Sequence, residues 1–106
     1  MLDAEDVRRL ALALPGALEA DHHGRPSFRV GGRIFATLWT PTALNVMAGE
    51  EEIRAAVARA PDVYAPVPWG RRVAAVRVDL AAADAGEVED LLHAAWSRRA
   101  PGRAPR

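Results

Sequence analysis

The spacing of apolar residues changes several times along the chain, and each change marks an element. Val7, Leu10, Ala11 and Leu14 recur at i, i+3, i+4 and i+7, which puts them on one face of a helix. Asp3 is placed to cap that helix, and Pro15-Gly16 stop it. A second stripe, Ile53, Ala56, Val57 and Ala60, follows Glu50, Glu51 and Glu52, whose charges favour the positive end of a helix dipole, and Pro61 closes it. A third, Val88, Leu91, Leu92, Ala95 and Trp96, starts at Asp84, with Glu87 at capping-box spacing and Arg98 and Arg99 suited to the carboxyl end.

Between the first two helices the pattern shortens to that of strands. "SFRV" and "RIFATLW" flank Gly31-Gly32, two residues that tolerate the positive φ of a tight hairpin turn. "ALNVMA" follows the Thr40-Pro41-Thr42 break, and "RVAAVRVDL" precedes the last helix. Strict pairing across the hairpin sets Val30 opposite Arg33 and Phe28 opposite Phe35. Those four then share a side with Thr37 and Trp39, while Arg29 lies with Ile34, Ala36 and Leu38. Both sides carry apolar residues, so the pattern leaves open which one meets the helices. The order expected is helix, four strands, helix, strand, helix: an α+β two-layer domain with an antiparallel sheet and helices on one face. Residues 1–100 form one domain in this reading and 101–106 a flexible tail.

Composition adds limits. A chain of 106 residues, 50% hydrophobic and 26% charged, suits one soluble globular domain. With no cysteine, disulfides, zinc-thiolate sites and thiol nucleophiles are excluded. The amino-terminal "MLDAEDVRRLALALPG" lacks the basic start and unbroken apolar run of a signal peptide, and no stretch approaches a membrane span, so a cytoplasmic protein is expected. The formal net charge is +0, yet the signs separate along the chain. No Asp or Glu occurs from His22 through Ala48 or from Val63 through Val78, and these segments carry Arg25, Arg29, Arg33, Arg71, Arg72 and Arg77.

Candidate chemistry is sparse. His22 and His23 beside Asp21 raise a metal or acid-base site, but adjacent strand residues point to opposite faces, and structural or solvated histidines are the plainer reading. Ser27 in "RPSFR" is not a nucleophile elbow, Glu50 to Glu52 are explained by the helix start, and "VGGR" lacks the length and lysine of a phosphate-binding loop. No catalytic residue, cofactor or metal is expected. Trp69-Gly70 followed by Arg71 and Arg72 reads either as an exposed aromatic and basic loop or as a core lid with solvated hairpin arginines. Residue physics leans to the lid, and places Trp39 and Trp96 in the core.

"HHGRPSFRVGGRIFATLW", "LNVMAGEEEIRAAV", "WGRRVAAVRVDLAAAD" and "LLHAAWSRRAP" resemble the MmcQ/YjbR family of small bacterial proteins. The most specific positions are Gly24, Pro26, Ser27, Phe28, Arg29, Val30, Gly32, Arg33, Phe35 and Ala36, then Trp69-Gly70; Arg33 stands where many relatives carry lysine. The resemblance implies a fold like the secretion-chaperone and frataxin-like α+β domains, and DNA as partner. The expectation is a non-enzymatic DNA-binding protein contacting phosphates through Arg25, Arg29, Arg33, Arg71 and Arg72, with Trp69 as a stacking residue. It requires the arginines to gather over one side of the sheet. The alternative is a protein-interaction or chaperone-like module that docks a peptide or a second copy on the open sheet face, as a monomer or weak homodimer.

Overall fold

Each helix begins where its first free N–H groups find an acceptor or a permissive residue. In the computed structural model, which describes residues 1–101, helix α1 (Ala4–Leu12) starts from a reciprocal cap: the Asp3 carboxylate accepts the Asp6 N–H at 2.9 Å, and Asp6 accepts the Asp3 N–H at 3.0 Å. Helix α2 (Glu50–Arg59) follows Gly49 without a side-chain cap. Helix α3 (Ala85–Arg99) follows Asp84, which accepts the Glu87 N–H at 3.0 Å. Glu87 does not complete a capping box as its spacing suggests. Its carboxylate instead accepts the Tyr64 hydroxyl at 2.6 Å and lies 3.5 Å from Arg59. The expected tail lies, beyond Pro101, outside the described residues.

The strands are β1 (Leu18–His22), β2 (Arg25–Val30), β3 (Arg33–Thr40), β4 (Ala43–Val46), β5 (Tyr64–Trp69) and β6 (Arg72–Asp79). They form one antiparallel sheet in the order β1-β2-β3-β4-β6-β5, with the helices on one face. The α+β class and arrangement read from the sequence are found, with β5 an additional edge strand where the sequence suggests a loop or lid. Pro66 and Pro68 hide β5 from pattern reading, because proline cannot donate to a ladder; an edge position tolerates them. The core closes between Val7 and Ala11 of α1, Ile53 and Ala56 of α2, the stripe Val88, Leu91, Leu92, Ala95 and Trp96 of α3, and one face of the sheet. Trp96 donates its indole N–H to the Pro15 carbonyl at 2.8 Å, which ties α3 to the end of α1.

The β2–β3 hairpin decides which side chains reach that core. Val30 pairs with Arg33 and Arg29 with Ile34, but Phe28 then pairs with Ala36, because Phe35 is an extra residue in β3. The pairing of Phe28 with Phe35 expected from strict alternation is therefore displaced by one. Phe28, Val30, Phe35, Ala36 and Leu38 all join the core. Thr37, paired with Ser27, passes to the opposite face with Arg29 and Ile34. The expected grouping of Thr37 and Trp39 with Phe28 is thus corrected.

The turn itself is Gly31-Gly32, with φ of +58° and +79°. A Cβ on Gly31 would stand 2.5 Å from the ring of Pro101, just past α3, whereas one on Gly32 would meet nothing within 4 Å. Gly31→Ala is therefore expected to lose more stability in urea unfolding than Gly32→Ala, which carries only the left-handed backbone cost of about 1–2 kcal/mol. Equal losses would show that Pro101 does not pack on the turn.

Tyr64 is 1% exposed, and its pKa is pushed up to about 12, first by burial and then by its hydrogen bond to Glu87. A raised phenol pKa means that the fold favours the neutral form. The resulting stability is intact below about pH 10 and is lost as pH rises towards about 12. Tyr64 is the chain's one tyrosine, so tyrosinate absorbance reads it alone: the midpoint is expected near 12 when folded and near 10 in denaturant. A folded midpoint near 10 would contradict the buried hydrogen bond.

Candidate functional site

The face of the sheet away from the helices is built around one cross-strand row. Ala20, Ser27, Thr37, Asn45, Arg77 and Ala65 sit side by side across the six strands. Ser27, Thr37 and Asn45 are buried although no helix covers them. Neighbouring arginines lie close over this row. Arg29 donates its Nε to Ser27 Oγ at 3.1 Å and an Nη to the Asp21 carbonyl at 3.3 Å, while Ser27 donates to the Ala20 carbonyl at 2.8 Å. Arg77 donates its Nε to Asn45 Oδ1 at 2.9 Å.

Trp39 completes the face. It is the extra residue of a second irregularity in β3, between Leu38, which pairs with Leu44, and Thr40, which pairs with Ala43. The guanidinium of Arg25 lies 3.9 Å and that of Arg77 5.2 Å from the Trp39 ring centre. Arg25 also donates its Nε to the Trp39 carbonyl at 2.8 Å. Trp39 is not the core residue that the sequence suggests: it is 38% exposed, because the Phe35 insertion puts it on the open face beside the arginines.

These arginines have neutral partners only. The ion pairs of the described residues use Arg8, Arg9, Arg54 and Arg59, whereas Arg25, Arg29, Arg33, Arg71, Arg72, Arg77, Arg98 and Arg99 enter none. With each Nε anchored, the Nη groups of Arg25 and Arg77 keep their donors for a partner.

The six arginines of the acid-free segments do not gather over one face. Arg25, Arg29 and Arg77 share the open face. Arg33 pairs with Val30, a core residue, and so points to the helix side, where its charge reaches Arg99 at the end of α3. Arg71 is exposed in the β5–β6 turn, and Arg72 lines a cleft with Trp69, Arg98 and Arg99. Burial, then the charges of Arg33 and Arg98, hold the Arg99 guanidinium below its ordinary value. Trp69 is 79% exposed, so the lid reading favoured by residue physics does not hold. Trp39, Arg77, Arg98 and Arg99 are not among the site residues expected from the sequence. The acid-free segment did flag Arg77, but Arg98 and Arg99 read fully as helix-end charges.

His22 ends β1, paired with Arg25, and His23 opens the β1–β2 turn at φ +55°, with the two ring centres 4.6 Å apart. Among the described residues no three His, Cys, Asp or Glu side chains are grouped to share a metal ion. No helix among them is long and apolar enough to cross a membrane.

Fold and face together define a small α+β domain whose uncovered sheet surface carries arginines and an indole. The YjbR family model matches residues 12–98, and the chain belongs to that family. No curated protein and no solved structure matches it.

If Arg77 is structural to this face, Arg77→Ala should cost about 1–2 kcal/mol in urea unfolding, because Asn45 loses its donor and Trp39 loses cover. Arg71→Ala, in a solvated turn, should stay within about 0.5 kcal/mol of the parent. Equal effects would mean that Arg77 is no better anchored than a free surface side chain.

Proposed function

We propose that the protein is a non-enzymatic DNA-binding protein that holds phosphates on its open sheet face. The observation that carries this reading is the trio Arg25, Arg29 and Arg77, each anchored through Nε to a neutral acceptor and none in an ion pair. A guanidinium already fixed in orientation loses less entropy when it meets a phosphate, and its Nη edge presents donors in a fork that fits two phosphate oxygens. Backbone contacts of this kind position the protein without reading sequence.

The gathering of all six arginines of the acid-free segments over one side is not met, so phosphate contact narrows to the three that share the open face, Arg25, Arg29 and Arg77, and none is assigned to Arg33, Arg71, Arg72 or Trp69. With a net charge of +0, the whole molecule exerts little long-range attraction, so binding is weak and depends on this local patch. A peptide or second copy on the same face has less support, because that face is lined by charged and polar groups, and Pro66 and Pro68 remove donors from edge strand β5.

The test is a titration with duplex DNA across a range of salt. Three phosphate contacts give a slope of about −2.7 in log affinity against log salt. Arg25→Ala with Arg77→Ala, its fold checked by circular dichroism, should weaken binding and reduce that slope by about 1.8. Affinity indifferent to salt, or unchanged in the double variant, would remove the reading.

A further inference from the structure

A second concentration of unpaired positive charge lies away from the open face. Where the β5–β6 hairpin, the β4–α2 link and the end of α3 meet, a cleft of about 400 Å³ is lined by Ala48, Glu50, Trp69, Arg72, Arg98 and Arg99, among others. That volume suits a small molecule and is too small for a duplex. Arg98 is pinned by Nη1 to the Met47 and Ala48 carbonyls, each at 3.2 Å, leaving its other donors unused by the protein. The Nε of Arg99 is buried without a hydrogen-bond partner, and Arg72 enters no ion pair. Glu50, the one acid of the lining, is engaged by Arg54, which donates Nε at 2.9 Å and Nη2 at 2.5 Å to its Oε2.

Three guanidiniums around one cavity repel each other, and that penalty falls when a group of high negative charge with several acceptor oxygens enters and takes the free Nη donors. A carboxylate brings one charge and two oxygens, whereas a phosphate monoester brings nearly two charges and three terminal oxygens. Trp69 adds a different preference. Its indole lines the same cleft yet is 79% exposed and makes no ring contact among the described residues, so a flat aromatic group can stack on it.

We propose that this cleft binds a phosphate monoester joined to a planar aromatic ring, as in a nucleotide, with Arg72, Arg98 and Arg99 on the phosphate and Trp69 on the ring. A free nucleotide and the phosphorylated end of a nucleic-acid strand share this chemistry. The inference does not rest on the open-face reading, since no residue is common to the two sites.

The probes are adenosine 5′-monophosphate, adenosine, inorganic phosphate, and a short oligonucleotide with or without a 5′-phosphate, titrated calorimetrically. The monophosphate is expected to bind about tenfold or more tightly than adenosine or phosphate alone. Arg72→Glu should weaken it about tenfold or more, and Trp69→Ala should weaken it similarly while leaving phosphate binding unchanged. Both side chains are exposed, so neither change removes core packing. Quenching of tryptophan emission by the monophosphate should diminish in Trp69→Phe. If the phosphorylated oligonucleotide binds more tightly than the mononucleotide, and the unphosphorylated one does not, a strand end is the source; if the mononucleotide binds at least as tightly, a free nucleotide is. Equal binding of adenosine and its monophosphate, or no effect of either variant, would overturn the proposal. Loss of duplex binding in the Arg25 and Arg77 double variant reports on the other face, so either site can fail alone.

Discussion

One extra residue in β3 governs what each face of this sheet displays. Side chains alternate along a strand with a period of two, so inserting Phe35 into the ladder reverses the side of everything that follows relative to β2. Ala36 and Leu38 are delivered to the helices, and Thr37 and, two residues on, Trp39 to the open face. Without the insertion, Thr37 and Trp39 would lie on the side of Phe28, and Arg25 and Arg77 would have no indole between them. The arginine face is a consequence of backbone register before it is a consequence of charge.

Charge then exploits that geometry. The acids outside the two acid-free segments are largely committed to local work. Asp3 and Asp84 cap helices, Glu5 and Glu19 engage Arg8, Glu50 engages Arg54, and Glu87 serves Tyr64 and Arg59. Arg8 in this way joins α1 to β1, and its hydrogen bond holds the Glu19 carboxyl below its ordinary value. A molecule with no net charge can therefore keep several guanidiniums unpaired. They are oriented by carbonyls, a serine, an asparagine and an indole, which fix direction without neutralising charge.

Much of the architecture was legible in the sequence because it depends on local rules. The α3 stripe from Val88 to Trp96 is buried as its spacing requires, the Asp3 and Asp84 caps form, and Gly31-Gly32 turns the chain. What pattern reading missed depends on tertiary context. A bulge has no signature in an apolar run such as "RIFATLW", and prolines conceal β5. Two tryptophans assigned to the interior lie outside, because Trp39 follows a register shift and Trp69 ends an edge strand. Glu87 shows the same limit: its spacing fits a cap, but a buried tyrosine offers a better use of the carboxylate. For the site, the acid-free segments mark arginines that enter no ion pair among the described residues, and give no sign that they separate into an open face and an end cleft.

The arrangement of both faces rests on the register of the β2–β3 hairpin, which nuclear Overhauser contacts on the full chain measure in solution. Cross-strand backbone contacts are expected between Ser27 and Thr37 and between Phe28 and Ala36, together with contacts from the Trp39 indole to the Arg25 and Arg77 side chains. Contacts that pair Phe28 with Phe35, or that place the Trp39 ring against the helices, would contradict that arrangement.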